Sequence, residues 1–117
     1  MALPELVRRG AELELAAFCE KRVPAFVRDQ VRIEFEIRGN SATLVERRVP
    51  WQPELRDQPW TRMQVAQFRH DFDKGTWTLY CSDRNARWHR FDPVDPAPEL
   101  STLLAEVDAD PTGIFWG

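Results

Sequence analysis

Val31-Arg32-Ile33-Glu34-Phe35-Glu36-Ile37-Arg38 alternates apolar and charged side chains without a break. A strand turns successive side chains to opposite faces, so this run puts four apolar groups on one face and four charges on the other. Gly39 and Asn40 tolerate positive φ, and Ala42 to Val49 follows as a return strand, so residues 31–49 read as a hairpin. Working outward, Met63 to Asp71, Thr76 to Ser82 and Trp88 to Phe91 read as three further strands. A three-residue Arg84-Asn85-Ala86 loop sets Ser82 opposite Trp88, Tyr80 opposite Arg90 and Leu79 opposite Phe91. Trp77, Leu79, Cys81, His89 and Phe91 then share one face, and Thr78, Tyr80, Ser82, Trp88 and Arg90 the other. Ala86 falls where glycine is favoured.

Before the hairpin, Leu6, Leu13 and Ala17, with Val7 and Phe18 beside them, recur at the spacing of an amphipathic helix over Leu3 to Arg22. Pro4 suits its first turn, and Gly10 lies on the apolar stripe, where it would let the helix approach a sheet closely. Pro24 ends the helix and Pro24 to Gln30 reads as a short helical turn. Beyond the proline-rich Asp92 to Pro98 linker, Leu100, Leu103, Leu104 and Val107 mark one side of a short second helix. Asp110-Pro111-Thr112-Gly113 is a turn, and Ile114-Phe115-Trp116 is too apolar to fray in water, so it must dock. The expected fold class is α+β: an N-terminal helix packed on a five-stranded antiparallel meander, closed by a short C-terminal helix and a docked tail.

At 117 residues the chain suits a single domain over 1–117, and its 43% hydrophobic and 30% charged composition is that of a globular protein. No apolar run approaches the roughly 20 residues of a membrane span, and the N-terminus lacks the layout of an export signal. A cytoplasmic protein with no membrane contact is expected. Cys19 and Cys81 are too few for a disulfide framework and lack metal-ligand spacing, so reduced thiols, no metal and no cofactor are expected. The net charge of −3 conceals an asymmetry: residues 28–90 carry twelve basic and nine acidic side chains, whereas residues 91–117 carry six acidic and no basic ones. That pattern suits a polyanion site screened by an acidic tail, or simply a solvated acidic helix. Arginine outnumbers lysine 14 to 2, a bias that serves bidentate anion contacts and ring stacking but also follows from genome base composition.

Several of these stretches, in this order, resemble one family. They are Val31 to Asn40 leading into Leu44-Val45-Glu46-Arg47-Arg48, Trp77-Thr78-Leu79-Tyr80 followed by Asp83-Arg84-Asn85, Trp88, and the closing Asp110-Pro111-Thr112-Gly113-Ile114-Phe115-Trp116-Gly117. The chain resembles, over nearly its whole length, the small bacterial proteins grouped as domain of unknown function 3024. The resemblance brings no activity; it implies that Glu46, Arg48, Pro50, Trp77, Tyr80, Phe115 and Trp116 belong to the family pattern. Val49 stands where relatives often place proline after the arginine, and Cys81 and Ala86 also depart from the pattern, which lessens any case for a role of those side chains.

Catalytic constellations are sparse. In His70-Asp71-Phe72-Asp73, strand alternation turns His70 away from both carboxylates, so shared metal ligation is not expected. Cys81 and His89 face each other on neighbouring strands, but no helix N-terminus or glycine elbow activates the thiol. No catalytic residue is assigned. The stronger grouping is Glu46, Arg48, Arg69, Tyr80, Trp88 and Arg90, whose guanidinium groups and rings could hold an anionic ligand, with Trp51 and Trp60 on the Pro50 to Trp60 loop beside it. The alternative is internal: Glu46 pairs with an arginine, and Phe115 and Trp116 cover Tyr80 and Trp88. The leading expectation is a non-enzymatic binding module for an unknown protein or anionic ligand. Single-stranded nucleic-acid binding and a small hydrolase-like enzyme are the rivals, and an exposed aromatic patch or free edge strand would favour a homodimer.

Overall fold

The structure, a computed structural model, describes residues 2–50, 54 and 59–116. Helix α1 runs Glu5–Arg22, the strands are β1 Val31–Arg38, β2 Ser41–Arg48, β3 Thr61–Asp71, β4 Thr76–Ser82 and β5 Trp88–Arg90, and helix α2 is Leu100–Ala109. The strands form one antiparallel meander in the order β1-β2-β3-β4-β5, so the expected α+β architecture is the observed one. No described helix is long and apolar enough to cross a membrane.

The two-residue Gly39-Asn40 turn, with Gly39 at φ 59°, pairs Arg38 with Ser41 and fixes the hairpin register as far as Val31 opposite Arg48. The β4–β5 register is the expected one, Tyr80 facing Arg90 and Ser82 facing Trp88, and Ala86 is left-handed at φ 61°. Because β5 is short, the linker completes the outer edge of β4: the Trp77 and Ala97 backbones exchange hydrogen bonds of 2.7 and 2.9 Å. One bulge interrupts the sheet, since Leu44 pairs with Ala66 whereas Val45 pairs with Gln64, and the extra residue Val65 is buried.

One face of the sheet carries Ile33, Leu44, Phe68 and Leu79, which form the core with Leu15 of α1 and Leu103 and Val107 of α2. Phe68 is wholly buried at its centre, and truncation to alanine there costs about 3–5 kcal/mol. All four expected apolar positions of α2 are buried. In α1 the outcome differs from the expected stripe. Ala11 and Leu15 are buried with Val7 and Phe18 packed beside them, whereas Leu6 and Leu13 are 82% and 70% exposed. Gly10 is exposed too, and a Cβ placed on it would meet nothing within 4 Å, so it serves no close approach to the sheet. The helix carries apolar side chains on two sides, and the chain enters it from Leu3, itself buried, with its N–H bonded to the Gly39 carbonyl at 3.2 Å.

The tail docks at Phe115 and Trp116, through Asp110, whereas Ile114, expected to dock with them, is exposed. Asp110 ends α2 in a left-handed conformation at φ 43°, and its carboxylate accepts the Phe115 N–H at 3.1 Å and the Trp116 N–H at 2.9 Å. Phe115 meets Phe91 edge to face at 5.1 Å between ring centres. The Trp116 indole donates to the Val107 carbonyl at 2.8 Å and lies under the Arg22 guanidinium at 4.2 Å. Both rings therefore sit on the helix-bearing side and not over Tyr80 and Trp88.

Candidate functional site

Pairing across the sheet assigns each sequence-derived candidate to a face, because directly opposed residues point the same way. Arg69, Tyr80, Trp88 and Arg90 lie together on the face away from the helices. Glu46 and Arg48 do not join them: Glu46 opposes Ile33 and Arg48 opposes Val31, which puts both on the helix side. The expected six-residue constellation is thus divided across the sheet. The two-residue hairpin turn already carried this register, since counting back from Arg38 and Ser41 pairs Glu46 with Ile33. Trp51 lies outside the described residues.

On the helix side, Glu46 is buried and its carboxylate accepts from Arg48 Nε at 2.7 Å. With Arg22, Val31 and Trp116 the pair lines a groove of about 240 Å³. Much of its polar capacity is spent internally: Arg22 also binds the Asp108 carboxylate at 2.9 Å, and Glu46 holds Arg48.

The helix-free face carries more arginines than the sequence grouping contained. Arg32, Arg47 and Arg62 are directly opposed along one row across β1, β2 and β3. Like charges so aligned repel, and two ion pairs relieve them, Arg47 with its diagonal neighbour Glu34 and Arg62 with Glu36 at 2.8 Å, the latter reaching across β2. The third, Arg32, lies over the half-buried Trp60 ring at 4.5 Å. At the other end of the face the Arg69 guanidinium lies over Tyr80 at 3.9 Å, steadied by Arg69 Nε donating to Gln67 Oε1 at 2.7 Å. Beside that stack a groove of about 380 Å³ is lined by Asn40, Arg69, Asp71, Thr78 and Tyr80. Arg90 is exposed opposite Tyr80, and Trp88 is half-buried opposite Ser82. Gln67 also donates to Thr43 at 3.0 Å, so these polar groups in the middle of the face are already hydrogen-bonded, and Val45 on the same face is wholly buried.

The side chains considered for catalysis are separated. His70 is buried edge-on against Trp77 with ring centres 4.9 Å apart. His89 is exposed and its Nε2 lies 2.7 Å from an Asp83 carboxylate oxygen. The Cys81 thiol bonds the His89 carbonyl at 3.6 Å rather than its ring. Burial pushes both thiols up, Cys19 to about 11 with the Glu34 charge adding to the effect, opposite to the shift that activates a thiolate. No group of three or more His, Cys, Asp or Glu side chains among the described residues is placed to hold a metal ion.

Fold and face together define a helix-backed antiparallel sheet whose second face is arginine-rich and ring-bearing. The family model described as Domain of unknown function (DUF3024) matches residues 3–117, and the chain belongs to that family. Neither a curated protein nor a solved structure matches it.

Proposed function

We propose that the chain is a non-enzymatic binding module that holds an extended anionic partner across the helix-free face of its sheet. The observation that carries this reading is the pair of guanidinium–ring stacks on that face, Arg32 on Trp60 and Arg69 on Tyr80. A stacked guanidinium is oriented before the ligand arrives, so less side-chain entropy is lost on binding, and its edge keeps N–H donors for carboxylate or phosphate. The net charge of −3 opposes long-range attraction of a polyanion, so affinity must come from contact geometry and be modest. The free thiols of Cys19 and Cys81 suit a reducing compartment, which supports a cytoplasmic protein.

Single-stranded nucleic acid is the second reading, favoured by the half-buried rings of Tyr80, Trp60 and Trp88 on or beside the face, because base–ring stacking is tolerant of sequence. Fluorescence anisotropy with a labelled single-stranded oligonucleotide and with an acidic peptide, each at low and high salt, tests both. Binding of either probe that weakens with salt and is lost in Arg32→Ala and Arg69→Ala supports the module; preference for the oligonucleotide selects the second reading. Absence of binding to both probes at low salt, or binding indifferent to these substitutions, overturns the proposal.

A further inference from the structure

The outer side of α1 has no explanation within the monomer. Leu6, Gly10, Leu13 and Ala17 recur at intervals of four, three and four residues, so they form one stripe, and all four are exposed. A lone exposed leucine is ordinary, but here two, 82% and 70% exposed, share one stripe of a single helix. Gly10 lowers helix propensity, has no positive φ, and faces open space. A helix-interior glycine between exposed leucines makes physical sense if another surface comes close to it.

We infer that this stripe is the contact of a two-fold homodimer in which α1 packs antiparallel to α1 of a second copy. The stripe is self-complementary. With the two-fold axis level with the midpoint between Gly10 and Leu13, Leu13 stands over Gly10 of the second copy and Leu6 over its Ala17, so each large side chain meets a small one in both directions. Charge agrees. Arg9 and Glu20 are both exposed on the same flank of the stripe, and neither makes an ion pair among the described residues. In this pairing Arg9 of one copy and Glu20 of the other are offset by about 9 Å along the axis, at a rise of roughly 1.5 Å per residue. Side chains lean toward their own helix N-terminus, which in an antiparallel pair brings these two together. The contact is separate from the sheet face, so it stands or falls independently of the binding proposal.

Sedimentation velocity on the full chain, from about 5 to about 500 µM, reads the outcome directly as a shift from the 13.7 kDa monomer to twice that mass. Gly10→Gln and Leu13→Glu are each expected to move the dissociation midpoint upward by at least about tenfold. Gly10→Gln distinguishes contact from fold, because at the lowest concentration its thermal midpoint should be unchanged or higher while dimerisation is lost. Arg9→Glu should weaken the dimer, and Arg9→Glu combined with Glu20→Arg should restore it. A chain that stays monomeric throughout the range overturns the inference, as does a dimer indifferent to Gly10→Gln and Leu13→Glu or one that the double charge exchange leaves weakened.

Discussion

The Arg69 guanidinium lies 3.9 Å from the centre of the Tyr80 ring, although the two residues are diagonal neighbours: Arg69 is directly opposite Thr78, and Tyr80 is opposite Gln67. The Gln67 side chain accepts from Arg69 Nε and so steers the guanidinium across the diagonal. Both partners are half-buried, and such a contact contributes between about 0.5 kcal/mol when exposed and about 2 kcal/mol when desolvated. Arg69→Ala should therefore lower stability by about 1 kcal/mol in urea denaturation while weakening binding of an anionic probe by about tenfold. A loss of stability of several kcal/mol with unchanged binding would make the stack structural.

Asp83 sets the acid sensitivity of the β4–β5 turn. Its carboxylate is held down from 3.8 to about 2 by hydrogen bonding to the Arg87 backbone, with the His89 side chain and the Asn85 backbone adding to the effect. A carboxyl with a lowered folded pKa contributes stability that is complete above its unfolded value and lost as pH falls through its folded value. The contribution should fade between about pH 4 and pH 2. Asp83→Asn should flatten the fall of the unfolding midpoint across that window compared with the unsubstituted chain. Parallel curves would show that the turn does not depend on the charge.

Ala86 stands at φ 61°, where a Cβ crowds the following carbonyl. That strain is about 1–2 kcal/mol, and glycine recovers it less the greater entropy glycine loses on folding. Ala86→Gly is expected to stabilise the chain by about 0.5–1 kcal/mol in equilibrium unfolding, since Ala86 is exposed and makes no side-chain packing to lose. Destabilisation would mean that the turn gains more from a stiff unfolded chain than it loses to strain.

Asp110 holds the tail through two N–H bonds to one carboxylate. Asp110→Ala removes both acceptors and puts alanine at a left-handed position, at a cost of about 2–3 kcal/mol. Asp110→Asn keeps one amide oxygen and the left-handed tolerance, and should cost about 1 kcal/mol. Amide hydrogen exchange at Phe115 and Trp116 should quicken in the first variant far more than at Phe68. Equal protection in both variants would mean that ring packing alone docks the tail.

Much of the fold is written in local pattern. The alternation of Val31 to Arg38, the positive-φ tolerance of Gly39, and the loop length before Trp88 fix strand faces and registers because side-chain direction has period two and short turns leave no freedom to slip. The spacing of Leu100, Leu103, Leu104 and Val107 sufficed for α2 because that helix has a single apolar side. For α1 it did not: two apolar stripes compete, and the choice of Ala11 and Leu15 over Leu6 and Leu13 is made by packing against β1. The candidate face was legible only in part. Tyr80, Trp88, Arg69 and Arg90 follow from the β3–β5 pairing, but the bulge at Val65 reverses the alternation of β3 and so brings Arg62 and Gln64 onto the same face as Arg69 and Gln67. Local residue order alone determined which segments are strands and helices and which way most side chains point. Only the tertiary structure decided which side of α1 meets the sheet, where the tail rings dock and which arginines meet, because each depends on contacts between residues distant in sequence.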